Sequence, residues 1–541
     1  MAIAKMIIWL LLLPVVAGTA LTLSNALNWQ IWPVLFQTPA LFSMLGLTLW
    51  VALASTFLSL ATAFCFISIR SKWFRGRSII SPVLAIPHSA IAIGVLFLLA
   101  PSGWIMRLVA QLMGWDIPPD WLSVRDPYGF SLIVALWLKE APFLILMSIN
   151  GCSQLPINKL LVTGRSLGYH PFQCWFKLIW PQLYLIIRSP LFIVLLFSIS
   201  VVEVPLIIGP NLPPVFQVQL LHWLQDPLLE SEALAAAASL LLVSLSAIAV
   251  IIWLLSEKLF KTAFKRFWLF NTTRSKPNRV LAMLFHGLSI LPLALAGLAL
   301  IVIVLRSFSW RWPFPDLLPQ LTTKSWERYL EQLLPVLADS LTIGFISTTI
   351  GLALSILVLQ SGLKIKKTQK VVLYLPLILP QLIFIPGIQK LLLWSSIDGY
   401  LLTVALIHLL FVFPYCMLSL SGPWQQLDPR LLLTARALGR TPWQALLQIR
   451  LPMMLQPLLT TFALGFAVSC ALYIPTLFAG SGRVSTLMTE AVALSSGGNR
   501  RLLALYACLQ MLAPVVIWLL AIWLPRFFYR HRSQLLLNGK P

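Results

Sequence analysis

Apolar runs close to 20 residues long, broken by short polar stretches, recur from one end of the chain to the other. A helix rises about 1.5 Å per residue, so roughly 20 apolar residues cross the hydrocarbon core of a bilayer. The pattern predicts twelve transmembrane helices. The first six fall at 6–24, 43–69, 79–100, 129–149, 184–206 and 233–256, and the second six at 280–305, 339–360, 371–393, 400–420, 456–479 and 502–525. The expected fold class is therefore all-α, polytopic and membrane-embedded. The first run follows Lys5 and ends in Ala17-Gly18-Thr19-Ala20, as a secretory leader would. The apolar run that follows it favours a retained hairpin instead.

No segment between these runs is long enough for a folded soluble domain. The longest, 150–183 and 421–455, read as helical connectors. A charged linker at 257–279 parts the chain into halves of six helices, 1–262 and 263–541.

Composition supports the class. Of 541 residues, 59% are hydrophobic and 10% charged, against roughly a quarter charged in soluble chains. Mean hydropathy is +0.89. The net charge of +23 does not point to nucleic acid, because the basic residues form clusters between apolar runs rather than a stripe on a soluble surface. With Lys5 placed inside, alternate segments hold 28 of the 39 Lys and Arg residues, so both termini are expected on the cytoplasmic side. Six scattered cysteines form no Cys-x-x-Cys pair and suggest neither a disulfide framework nor a zinc site.

A shift of 271 residues aligns the two long connectors without a gap. Leu160-Leu161-Val162-Thr163-Gly164-Arg165-Ser166-Leu167-Gly168 matches Leu431-Leu432-Leu433-Thr434-Ala435-Arg436-Ala437-Leu438-Gly439. Pro171-Phe172-Gln173 then matches Pro442-Trp443-Gln444, and Pro181 matches Pro452. Shared polar, Gly and Pro positions mark a duplication rather than two similar apolar runs. The glycines are expected to end a short helix in a left-handed cap, and Pro171 and Pro442 to open the next. Pro181 and Pro452 would mark re-entry into the membrane. A short rigid helix presented once per half suits a two-fold-symmetric partner. The plainer reading is a pair of amphipathic connectors at the membrane surface.

Both segments resemble the loop shared by permeases of binding-protein-dependent ABC importers: Glu-Ala-Ala, three residues, Gly, nine residues, Ile-x-Leu-Pro. Ala435, Gly439, Ile449, Leu451 and Pro452 fit it in the second half, and Gly168 and Pro181 in the first. The likeness covers the chain as a double-length permease, similar to the fused permeases of ferric-iron and thiamine importers, with the thiamine-like members favoured. It implies a type I importer fold in a bacterial inner membrane. It also implies two copies of a cytoplasmic ABC ATPase docked on the loops and a periplasmic solute-binding protein. The motif glutamate is missing: Val162 and Leu433 stand in its place, and Thr163 and Thr434 in that of the first alanine. Arg165 and Arg436 either supply charge instead or follow the positive-inside bias.

The chain has no Gly-x-x-x-x-Gly-Lys-Ser/Thr phosphate loop, so ATP hydrolysis is expected of a separate subunit, and no cofactor or metal is expected. Ionisable residues within the membrane are candidates for the pathway. Lys139 and Glu140 are adjacent on one helix and diverge by about 100°. Each is expected to find a partner in the bundle, with a carbonyl freed by Pro142 available to Lys139. Glu203 precedes Pro205, and the related segment reads Tyr473-Ile474-Pro475. The resemblance puts a gate or solute contact there, suited to a cation such as thiamine or a metal. The other reading is a carboxylate that caps loop amides. His222, His286 and His408 are isolated and read as structural. The competing function is an ion-gradient-driven transporter of 6+6 helices, which usually needs several midplane carboxylates.

Overall fold

The computed structural model describes residues 2–69, 84–270, 279–362 and 373–529. Arg70, Lys72, Arg75 and Arg77, and the basic residues at 274–276, 364–370 and 530–540, lie outside these. Eight helices of the first half are numbered here: α1 (Ala2–Leu23), α2 (Leu41–Ile69), α3 (His88–Leu99), α4 (Phe130–Cys152), α5 (Ile157–Ser166), α6 (Trp180–Ser200), α7 (Phe216–Gln225) and α8 (Leu229–Phe270). The second half gives α9 (Arg279–Ser307), α10 (Lys324–Gln360), α11 (Ile385–Trp394), α12 (Leu401–Gln426), α13 (Pro429–Ala437), α14 (Leu455–Cys470), α15 (Leu487–Ser495) and α16 (Arg500–Phe528).

Among the described residues, 10 helical spans are long and apolar enough to cross a membrane. There are 11 if Pro442–Met453 and α14, which meet at a 78° bend, count as one. The continuous helix expected at 371–393 is replaced by Leu375–Ile378, a turn at Gln381–Ile383, and α11. Pro376, Pro380 and Pro386 remove donors from this stretch and restrict the residues before them. The fifth expected helix also breaks, after Ser200, and restarts as Glu203–Ile208.

The 271-residue repeat reaches beyond the connectors. α4 and α12 start at 130 and 401, α7 and α15 at 216 and 487, and α8 and α16 at 229 and 500. The two short helices are even capped alike. The Phe216 N–H donates to Thr48 Oγ1 at 2.9 Å, and the Leu487 N–H to Ser340 Oγ at 2.8 Å. A buried helix start needs an acceptor for its free N–H groups, and each half supplies one from its second long helix.

The first helix of each half packs against the other half. α1 lies along α11, and α9 lies along α3 and α2. Small residues let the backbones approach: Gly18 meets Gly387 in the first crossing, and Gly94 meets Ala299 in the second. In lipid, where apolar burial gives little drive to helix association, such close packing supplies much of it.

Candidate coupling and pathway sites

The two connectors are built alike. Leu167 caps the end of α5 and Leu438 that of α13, followed by Gly168 and Gly439, each with φ of 82°. The Gly168 N–H donates to the Arg165 carbonyl (2.8 Å) and the Tyr169 N–H to that of Gly164 (3.0 Å). Gly439 and Arg440 repeat these bonds to Arg436 (3.0 Å) and Ala435 (3.1 Å). This paired arrangement is a Schellman cap, and its left-handed residue favours glycine.

Pro171 and Pro442 open the next turn, each behind a capping box. His170 and Gln173 form one box, Thr441 and Gln444 the other. Each turn then widens to a π-helix, Trp175–Ile179 or Leu446–Arg450, just ahead of Pro181 or Pro452. Proline lacks the N–H that a regular α-turn would use there.

The exposed faces are apolar where the importer motif has its glutamate. Val162 is 65% exposed and Leu433 60%, with Leu167, Leu438 and Trp443 also more than half exposed. Arg165, Arg436, Pro171, Pro442, Pro181 and Pro452 are exposed too. Among the described residues Arg165 and Arg436 form no ion pair.

Different anchors hold the two connectors to the bundle. In the first half, Phe64 of α2 packs edge-on against Trp180 (4.8 Å between centroids), Phe176 (5.8 Å) and Phe172 (6.3 Å). In the second, Arg450 stacks on Trp424 of α12 and donates to its carbonyl. Phe64, Trp424 and Arg450 carry no repeat signal in the sequence, because none matches the residue at its related position.

The ionisable residues of the membrane region are not gathered at one point. Lys139 and Glu140 are both 5% exposed in α4. Lys139 donates to the carbonyls of Leu84 (3.1 Å) and Ile86 (2.5 Å), at the start of the α3 segment, rather than to one freed by Pro142. Glu140 pairs with His88 Nε2 at 2.9 Å, and the His88 ring packs on Phe197. His88 went unnoticed in the sequence, although it follows Pro87 at a helix start. Glu203 opens the short helix after the α6 break. It is buried, and its Oε2 accepts from the Val202 N–H at 3.3 Å. Tyr473 holds the related place behind the break after α14. His408 is fully engaged, bonding Ser469 at 2.8 Å and Thr476 at 2.9 Å.

Residues 340–535, which include the second connector and the helices around it, match the family described as "Binding-protein-dependent transport system inner membrane component". The chain is also 32% identical over 512 residues to "Inner membrane ABC transporter permease protein YnjC" of Escherichia coli (strain K12), covering 94% of this chain and 93% of the relative. This likeness runs through both halves and displaces the ion-gradient alternative. The chain belongs to the family of ABC transporter permeases, as a membrane-spanning transport subunit of double length.

Proposed function

We propose that the chain forms the whole membrane pathway of an ATP-driven importer in a bacterial inner membrane. In this reading 1–262 and 263–541 act as two permease units, and each presents one connector to one of two cytoplasmic ATPase subunits. Both termini lie on that cytoplasmic side. The observation that carries the proposal is the duplicated connector, with the same Schellman cap, capping box and π-turn in both halves. Exposed Val162, Leu167, Leu433 and Leu438 give each connector an apolar docking face, so contact does not depend on the missing glutamate.

Closure of the ATPase pair on ATP would move both connectors together and turn the bundle outward, and hydrolysis would reset it. A periplasmic binding protein delivers the solute, a small cation of the thiamine or metal class, to a gate between Glu203 and Tyr473. Lys139 and Glu140 shape the pathway through their contacts just ahead of α3 and at its start.

The test is co-purification of the intact chain with its candidate ATPase, comparing wild type with Gly168→Trp/Gly439→Trp. A stoichiometric ATPase dimer on wild type, lost from the variant, supports the docking role. Failure of wild type to hold any ATPase would remove it.

A further inference from the structure

Arginines crowd one end of the cleft between α9 and α16, on the face opposite the connectors, where the inward bias of basic residues does not account for them. Arg306, from the last turn of α9, joins Arg500 and Arg501, which open α16, and Tyr329 of α10 around an open hollow of about 470 Å³. Arg107, Arg500 and Arg501 all act on Arg306 as like charges. Among the described residues none of the four is in an ion pair.

Arg107 is committed to backbone carbonyls at Ser102, Trp312, Pro313 and Asp316. The other three are not. Arg500 makes one bond to Ser102 (3.2 Å), Arg501 one long bond to the Trp310 carbonyl (3.5 Å), and Arg306 Nε is buried without a hydrogen-bond partner. The N-terminus of a 29-residue helix adds further positive potential at Arg500. Asp316 stands as a counter-charge to Arg107, whereas Arg306, Arg500 and Arg501 form no ion pair among the described residues and make a site for an anion with several acceptor oxygens.

A separate apolar groove of about 420 Å³ lies between the same two helices. Leu300, Val304 and Leu305 line it from α9, and Met511, Leu512 and Val515 from α16. The two helices pack together, and Leu305, which lines the groove, is the neighbour of Arg306 in the chain. Met511 lies roughly 15 Å along α16 from Arg501. Arg306 faces the Trp312 ring (5.4 Å) and Arg501 the Trp310 ring (5.3 Å). Tryptophans at this depth mark the water boundary of a bilayer.

We propose that this cleft binds an anionic phospholipid, with its phosphate on Arg306, Arg500 and Arg501 and an acyl chain along the groove. A free phosphate offers the same head chemistry but leaves the groove unused.

Delipidated full-length protein in detergent would be titrated with dioctanoyl phosphatidylglycerol, dioctanoyl phosphatidylcholine and inorganic phosphate, with native mass spectrometry counting bound lipid and thermal unfolding as a second readout. Arg306→Gln/Arg500→Gln/Arg501→Gln is expected to weaken phosphatidylglycerol binding at least about tenfold. Val304→Trp, which fills the groove without changing charge, should also weaken it, and exposed Arg328→Gln should not. Should the triple variant fail to fold, Arg501→Gln and Val304→Trp carry the test. Unchanged binding in these variants overturns the proposal. So does equal binding of phosphatidylcholine, or stabilisation by inorganic phosphate that matches the lipid.

Discussion

Gly18 of α1 and Gly387 of α11 touch backbone to backbone, so closely that a methyl group on Gly387 would overlap the Gly18 carbonyl. This contact fixes where the first helix of one half crosses the other half. Gly387→Ala is expected to destabilise the protein by about 1–3 kcal/mol or more, because backbone cannot yield as a side chain does. Gly94→Ala, which meets Ala299 at the related crossing, should act in the same direction. Gly297→Ala has open space around it and serves as the control. Thermal unfolding in detergent reads all three, and equal midpoints for Gly387→Ala and Gly297→Ala would mean the crossing is not tight.

Gly164 and Cys174 pack together, and the related positions in the second connector are the buried Ala435 and Ala445. An alanine at 164 would place its Cβ 2.5 Å from Cys174 Sγ. Gly164→Ala alone should cost about 1–2 kcal/mol by overpacking, and Cys174→Ala in the same chain should recover most of it. A double-mutant cycle measures the coupling. Additive effects would show that the two positions do not compensate.

Arg450 lies 3.9 Å from the centroid of the Trp424 ring. Trp424→Leu should remove about 0.5–2 kcal/mol of cation–π attraction and loosen the second connector alone. Hydrogen exchange is the check: faster exchange is expected at 429–450, with no change at 157–179. A rise in both segments would contradict separate anchoring.

Asp398, in the turn before α12, pairs with Arg483. Burial works to raise its pKa, but hydrogen bonds from Ser481 and Arg483 and the Arg483 charge outweigh it and hold the carboxyl below its ordinary range. A depressed folded value means stability present above the unfolded pKa and lost as pH falls through the folded one. The unfolding midpoint of wild type should therefore hold from neutral pH down to the ordinary carboxylate range and drop below it. Asp398→Asn should lower the midpoint at neutral pH and flatten the acid loss. Parallel pH curves for the two proteins would remove the pair from the account.

The membrane class, the duplication and the connector geometry could be read from the chain because they depend on neighbours in sequence. An apolar run needs only length to span a bilayer. A glycine at 168 or 439 permits positive φ, and a proline three residues later suits a helix start, whatever surrounds them. Even the break at 371–393 is signalled by Pro376, Pro380 and Pro386, against a hydropathy that favours one continuous helix. Tertiary structure alone decided which helices touch. Leu- and Val-rich runs are apolar on every side and give no sign of which face meets lipid and which meets protein. The exchange of α1 and α9 between halves, the pairing of Glu140 with His88, and the gathering of Arg306 with Arg500 and Arg501 all join residues distant in sequence. Their partners are set by side-chain volume and by the cost of leaving a polar group unpaired in the bundle, which act only once the helices have packed.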